Sequence, residues 1–164
     1  MVGTDTGMTR DTRHTMPFCD YMGSFVGVPF RRGGNDRRGF DCIGFCRAFY
    51  TGRGQRFPES FASRADFWRT GEVTPVTLST YHDYYETDRA AADDTLAELA
   101  ETIGTPVHPM EALAGDFIVV RHPNGHLIPA VAAGNNTFAA VFHGRGVTVL
   151  SLSRGFEIVL ARRI

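Results

Sequence analysis

The sequence predicts an α+β fold, with helices in the first two thirds of the chain and an antiparallel sheet in the last third. Three observations carry that reading. Apolar residues recur at helical spacing as far as about residue 103. From residue 115 onward, short β-rich runs are separated by "HPNG", "GNN", "HGRG" and "SRG", which are hairpin punctuation. No strand–helix–strand alternation of the parallel kind occurs. The 164 residues, 43% of them hydrophobic, are enough for one ordinary core. We therefore expect a single domain over 15–164, preceded by a flexible or partner-ordered arm over 1–14.

Taken in order, "HTMPFCDYMGSFVGVPF" spaces Phe18, Tyr21, Met22, Phe25 and Val26 as a short amphipathic helix that stops at Gly27 and Pro29. "RRGGNDRRGF" is a turn-rich loop. From Cys42, the positions Ile43, Phe45, Cys46, Phe49 and Tyr50 predict a helix buried on a wide face, with Asp41 at its N-cap and "TGRGQ" ending it. Residues 60–70 read as another short helix. "EVTPVTLSTYHDYY" is ambiguous, its β-branched residues interrupted by Pro75. Residues 88–103 have the strongest helix propensity and close at Gly104 and Pro106. The strands follow.

The net charge of −1 provides no global basic field, so nucleic acid is not an expected partner. All seventeen basic residues are Arg. Arg31, Arg32, Arg37 and Arg38 cluster beside Cys42, either as a solvated turn or as a positive patch for an anionic substrate. No run approaches the ~20 apolar residues of a membrane span. The first sixteen residues lack the apolar centre of a secretory signal, so synthesis and folding in the cytoplasm are expected. Three cysteines, an odd number, argue against a disulfide framework, and no His or Cys pairs stand at zinc-site spacing. No metal or organic cofactor is expected.

Two readings stand for Cys42. A free cysteine is a good small core residue. A cysteine at a helix N-terminus is also placed for activation, because the helix dipole and first-turn amides favour thiolate. A nucleophile needs a base, usually His oriented by a third group. His14 lies in the arm, and His82 and His108 in the central segment. His122, His126 and His143 lie in the strand-rich part, where His126 opens a strand directly after "HPNG". Cys46 and Cys19 read as core. The central aromatics (Phe57, Phe61, Phe67, Trp68, Tyr81, Tyr84, Tyr85) read as core, with an exposed subset as an interface.

The stretch "GVPFRRGGNDRRGFDCIGFCRAFY" resembles the nucleophile segment of the NlpC family of papain-like cysteine peptidases. "AGDFIVVRHPNGHLIPAVAAGNNTFAAVFHGRGVTVLSL" resembles that family's later strands. The ending is similar to the phage and gene-transfer-agent branch, the tail-associated cell-wall peptidases. The resemblance implies a papain-like NlpC fold with a helical insertion at about 52–113 between Cys and His. It implies Cys42 as nucleophile, His126 as base, and first-turn groups at Asp41 and Cys42 around the oxyanion. The family's third, imidazole-orienting position falls on Ala140, which cannot hydrogen-bond a ring; the alternatives are His143, if the strand register shifts, or a carbonyl or water in its place.

The implied substrate is a peptidoglycan stem-peptide amide, typically the D-γ-glutamyl to diaminopimelate bond. The implied partners are other tail proteins of the tip or hub, and the implied location is a virion tail, made in the host cytoplasm and delivered to the cell wall or periplasm. Loss of the orienting group implies the other outcome, a catalytically weak or inactive tail component with the same fold. A cytoplasmic cysteine peptidase or acyltransferase unrelated to phage is a third reading.

Overall fold

The computed structural model describes residues 16–63, 71, 72 and 74–164. The expected arm, His14, Phe67 and Trp68 lie outside these. The chain runs through helix α1 (Phe18–Gly23), the short strands β1 (Asn35–Asp36) and β2 (Gly39–Phe40), and helix α2 (Cys42–Gly52). A second antiparallel pair follows, β3 (Ser60–Ser63) and β4 (Thr74–Thr77), and then helices α3 (Leu78–Thr87) and α4 (Arg89–Glu101). The remainder is β5 (Thr105–Val107), β6 (Phe117–Arg121), β7 (Leu127–Gly134), β8 (Thr137–Phe142), β9 (Gly146–Ser151) and β10 (Glu157–Arg163). These six strands form one antiparallel sheet in the order β5-β10-β6-β7-β8-β9.

The α+β expectation holds, and most elements fall where pattern placed them. Residues 60–63 differ: they form a strand rather than the start of a helix. Ser60, Phe61, Ala62 and Ser63 pair with Thr77, Val76, Pro75 and Thr74. The partner strand carries Thr, Val and Thr, residues that suit a pleated surface better than a helix. That long-range pairing overrides a weak local helix preference.

The sheet buries both faces. On one, α1, α2 and α4 close a core with Phe25, Phe40, Phe45, Phe49, Tyr50 and Leu96 packed onto Phe117, Val119, Val131 and Val141. Edge-to-face contacts link Phe25 to Phe45 and Phe49 to Tyr50, with ring centroids 5.7 and 5.1 Å apart. Fully burying each such ring contributes roughly 1.5–3 kcal/mol, with about 0.5–1.5 kcal/mol more per favourable aromatic pair. On the other face, Ile118, Val120, Ile128, Ala130, Phe138 and Ala140 form a second cluster. Odd and even positions of β7 and β8 divide between the two clusters, as a period of two requires. Of the central aromatics, Phe57 and Tyr81 are buried and Phe61, Tyr84 and Tyr85 are half-buried, so these belong mainly to the core.

The β7–β8 hairpin turns through Asn135 and Asn136, at φ 51° and 60°. Asparagine tolerates this left-handed conformation better than most residues, so "GNN" works as the hairpin signal it resembles. A register irregularity falls between Ala132 and Gly134. No helix among the described residues is long and apolar enough to cross a membrane.

Candidate active site

Cys42 is the first residue of α2, placed there by its N-cap. Asp41 has extended φ and ψ, and its Oδ1 accepts the Gly44 N–H at 2.6 Å. That satisfies one of the free donors at a helix start. The preceding loop locks on through its backbone: the Gly34 carbonyl accepts the Asp41 N–H at 2.9 Å. A Cβ at Gly44 would stand 2.0 Å from that same Gly34 oxygen, and one at Gly34 would stand 2.2 Å from the Gly39 oxygen. Glycine is required at both positions by close approach of main chain to main chain.

The arginines of this loop do not form an open anion site. Arg31 and Arg38 lie at 3.8 and 3.1 Å from Asp36, and Arg32 pairs with Asp83 and Glu86 of α3 at 3.1 and 2.8 Å. Hydrogen bonds from Arg38 hold the Asp36 carboxyl below its ordinary range. Arg37 donates to the Ser24 carbonyl at 2.6 Å and covers the Phe25 ring. The positive-patch reading is therefore corrected: acidic neighbours and one carbonyl answer each guanidinium.

The Cys42 side chain is buried at 6% exposure, and its Sγ lies 4.0 Å from the Val141 carbonyl oxygen. Val141 also lines a cleft of about 350 Å³, shared with Tyr85, Arg89, His122, Asn124, His126 and His143. Three of the six histidines thus converge on one hollow just beyond the thiol. His126 immediately precedes β7, where the Asn124 side chain accepts its backbone N–H at 3.0 Å and its carbonyl accepts the His122 N–H at 2.8 Å. Asp93 of α4 accepts the next N–H, from Leu127, at 3.2 Å, and so ties the insertion to the start of β7. His143 follows β8 and stacks on Phe30, centroids 3.8 Å apart. His122 packs edge-on against Phe156. Among the described residues, Cys42 hydrogen-bonds to the Val141 carbonyl and to no imidazole.

The electrostatics reverse an expectation from the sequence. Burial pushes the Cys42 thiol up to about 12, and the Asp41 carboxylate adds to the rise. The Cys42 amide and the Arg89 guanidinium pull the other way and do not prevail. The helix-start argument for a thiolate is correct in sign, but desolvation of the charged form outweighs it. Cys46, one turn further in, is raised well above its ordinary value by the same burial. Cys19 is exposed, so the expectation of a core role does not hold for it.

The buried Cys42 thiol therefore rests protonated near pH 7. We expect iodoacetamide at that pH to label Cys19 readily and Cys42 hardly at all. The Cys42 rate should climb about tenfold per pH unit until global unfolding intervenes. Peptide mapping of the labelled protein checks this; equal labelling of Cys42 and Cys19 at pH 7 overturns it.

Ala140 is buried in the far-face cluster, 1% exposed, and lies outside the residues lining the cleft. The polar cleft members to which sequence reasoning gave no site role are Tyr85, Arg89 and Asn124, while His122 was weighed there only as one of six possible bases. Only "HPNGH" carried a signal, since a tight turn brings its two histidines side by side. His108 caps a 3₁₀ turn, its Nδ1 accepting the Met110 N–H at 3.1 Å. His82 lies within α3. A larger hollow of about 510 Å³ opens on the far face of the sheet, lined by no histidine or cysteine.

A helix that starts at Cys42 and packs on a six-stranded antiparallel sheet is the fold that the two sequence stretches implied. The profile of the NlpC/P60 family matches residues 27–157. The chain belongs to the NlpC/P60 family. Typical members are cysteine endopeptidases of peptidoglycan, and some are non-catalytic. Comparison with curated protein sequences finds no significant match.

Solved structures agree on the NlpC/P60 fold. The NlpC/p60 domain of the peptidoglycan hydrolase SagA is 22% identical, with 90% of this chain and 96% of that one covered and a TM-score of 0.51. An NlpC/P60 protein from Bacillus cereus is 19% identical over 92% of this chain at TM-score 0.54, and this chain spans 42% of its length. RipD from Mycobacterium tuberculosis, described as a non-catalytic domain adapted to peptidoglycan binding, is 19% identical at TM-score 0.50, covering 90% and 94%. At these identities the likeness concerns the fold.

Proposed function

We propose that this NlpC/P60 domain is a cysteine peptidase that cleaves stem-peptide amide bonds of peptidoglycan, with Cys42 as nucleophile and His126 as general base. The observation that carries this reading is the contact of the Cys42 sulfur, 4.0 Å from the carbonyl oxygen of Val141, a residue that lines the cleft together with three histidines. The resting thiol is protonated and shielded. Attack requires the sulfur to turn into the cleft and meet the His126 imidazole. The ring then takes the thiol proton as sulfur bonds to the amide carbon. First-turn amides not engaged by the Asp41 cap stabilise the oxyanion. Collapse breaks the C–N bond, and the imidazolium gives its proton to the departing amine. Water, deprotonated by the same ring, hydrolyses the thioester to a carboxylic acid and restores the thiol.

A second reading has its own support. With a thiol this strongly protonated and no imidazole hydrogen-bonded to it among the described residues, a domain that holds wall peptides without cutting them fits equally well. The proposed setting for either is a phage tail tip or hub, delivered to the wall after synthesis in the host, with other tail proteins as partners. The likeness of the C-terminal stretch to tail-associated peptidases supports that setting, and tail genes beside the coding gene would strengthen it.

The deciding experiment incubates the protein with purified peptidoglycan, follows released peptides, and traps the intermediate by acid quench. Mass spectrometry should find an acyl group on Cys42. His126→Ala should slow release by about 10²–10⁴-fold. Binding to the wall without release or acylation overturns the peptidase reading in favour of the second.

A further inference from the structure

We propose that Arg89, held by Tyr85, recognises a free carboxylate on the peptide that occupies the cleft, next to the carbonyl that Cys42 attacks; the inference rests on the peptidase reading above. Arg89 opens α4, in the segment inserted between the nucleophile and the histidines. Its guanidinium lies over the Tyr85 ring, 3.9 Å from the centroid, and both residues line the cleft. Stacking fixes the plane of the fork, so little freedom remains to be lost when an anion binds.

Several observations point to an anionic ligand. Arg89 Nε is buried and has no hydrogen-bond partner. An enclosed donor left unmatched is costly, which makes it a place where a ligand acceptor is expected. No carboxylate pairs with Arg89 among the described residues, in contrast to Arg31, Arg32 and Arg38. The described cleft lining contains no Asp or Glu; Asn124 and the three histidines are its other polar members. A planar carboxylate matches the guanidinium fork in two parallel hydrogen bonds, whereas a carboxamide offers one acceptor and an opposing N–H₂. The site also lies close to the chemistry, since the Arg89 charge acts on the Cys42 thiol and the Cys42 charge acts on Tyr85. The carboxylate so held belongs to a residue flanking the scissile bond. Arg89 is thus a specificity-determining residue, supplied by the insertion rather than by the sheet.

The test measures equilibrium binding by calorimetry in the Cys42→Ala background, which removes turnover. The probes are the tripeptide L-alanyl-γ-D-glutamyl-diaminopimelate and its analogue with the glutamyl α-carboxylate converted to a carboxamide. The carboxylate form should bind about 10–100-fold more tightly. Arg89→Gln should reduce the preference to about twofold or less, and Arg89→Lys should retain part of it. Because the first comparison alters the ligand alone, it does not depend on a variant folding. Equal binding of the two peptides, undiminished preference in Arg89→Gln, or no binding of either overturns the proposal. Turnover by the unaltered protein is scored separately. A retained preference with no turnover rejects the peptidase and leaves the carboxylate site; turnover with no preference does the opposite.

Discussion

Cys42→Ala is expected to release no peptide from peptidoglycan above background, a loss of about 10⁴-fold or more in kcat. The size of the effect follows from the chemistry: without sulfur at the start of α2, no thioester forms, and the histidines have only water to activate. The fold should survive, because the exchange removes one small buried atom at a cost of order 1 kcal/mol. Cys46→Ala serves as the companion control, since that thiol is fully buried one turn deeper and faces packing, not the cleft. Chromatography of soluble products from the three proteins provides the measurement. Equal release by Cys42→Ala and the unaltered protein removes the hydrolase reading altogether.

Gly44→Ala is expected to have the largest effect on stability, about 3–5 kcal/mol. Its new methyl would stand 2.0 Å from the Gly34 carbonyl oxygen and 2.8 Å from Asp41 Oδ1. Neither group can retreat cheaply. The Gly34 carbonyl holds the Asp41 N–H, and the Asp41 oxygen holds the Gly44 N–H, so movement of either loosens the cap. Only helix propensity favours alanine, and its ~1 kcal/mol falls short of these losses. Urea unfolding followed by circular dichroism reads the change. A midpoint equal to that of the unaltered protein would show that the loop and helix start are not packed as described.

What could be read from the sequence divides along a physical line. Local rules found the start of α2 and its Asp41 cap, the body of α4, and the hairpins of the sheet. Each depends on residues within a few positions of one another. The strand at 60–63 escaped because its identity comes from Thr74–Thr77, beyond the reach of a periodicity window. Protonation of Cys42 escaped for a related reason. A helix start argues for thiolate, yet burial beneath Val141 and the inserted helices decides the balance, and no local pattern encodes burial from a distance. Tyr85 read only as a core or interface aromatic and Arg89 had no reading of its own, with nothing to direct either to a cysteine more than forty positions earlier. The motif singled out His126, which lines the cleft, but among the described residues the sulfur hydrogen-bonds to the Val141 carbonyl and not to that ring.

The position of β10 makes one segment responsible for joining two parts of the sheet. This strand comes after every other strand in the chain, yet it lies between β5 and β6, antiparallel to both. Without it, β5 has no neighbour in the sheet. Removal of residues 157–163 would leave the cleft lining in the chain and expose β6 as an edge that invites pairing with other chains.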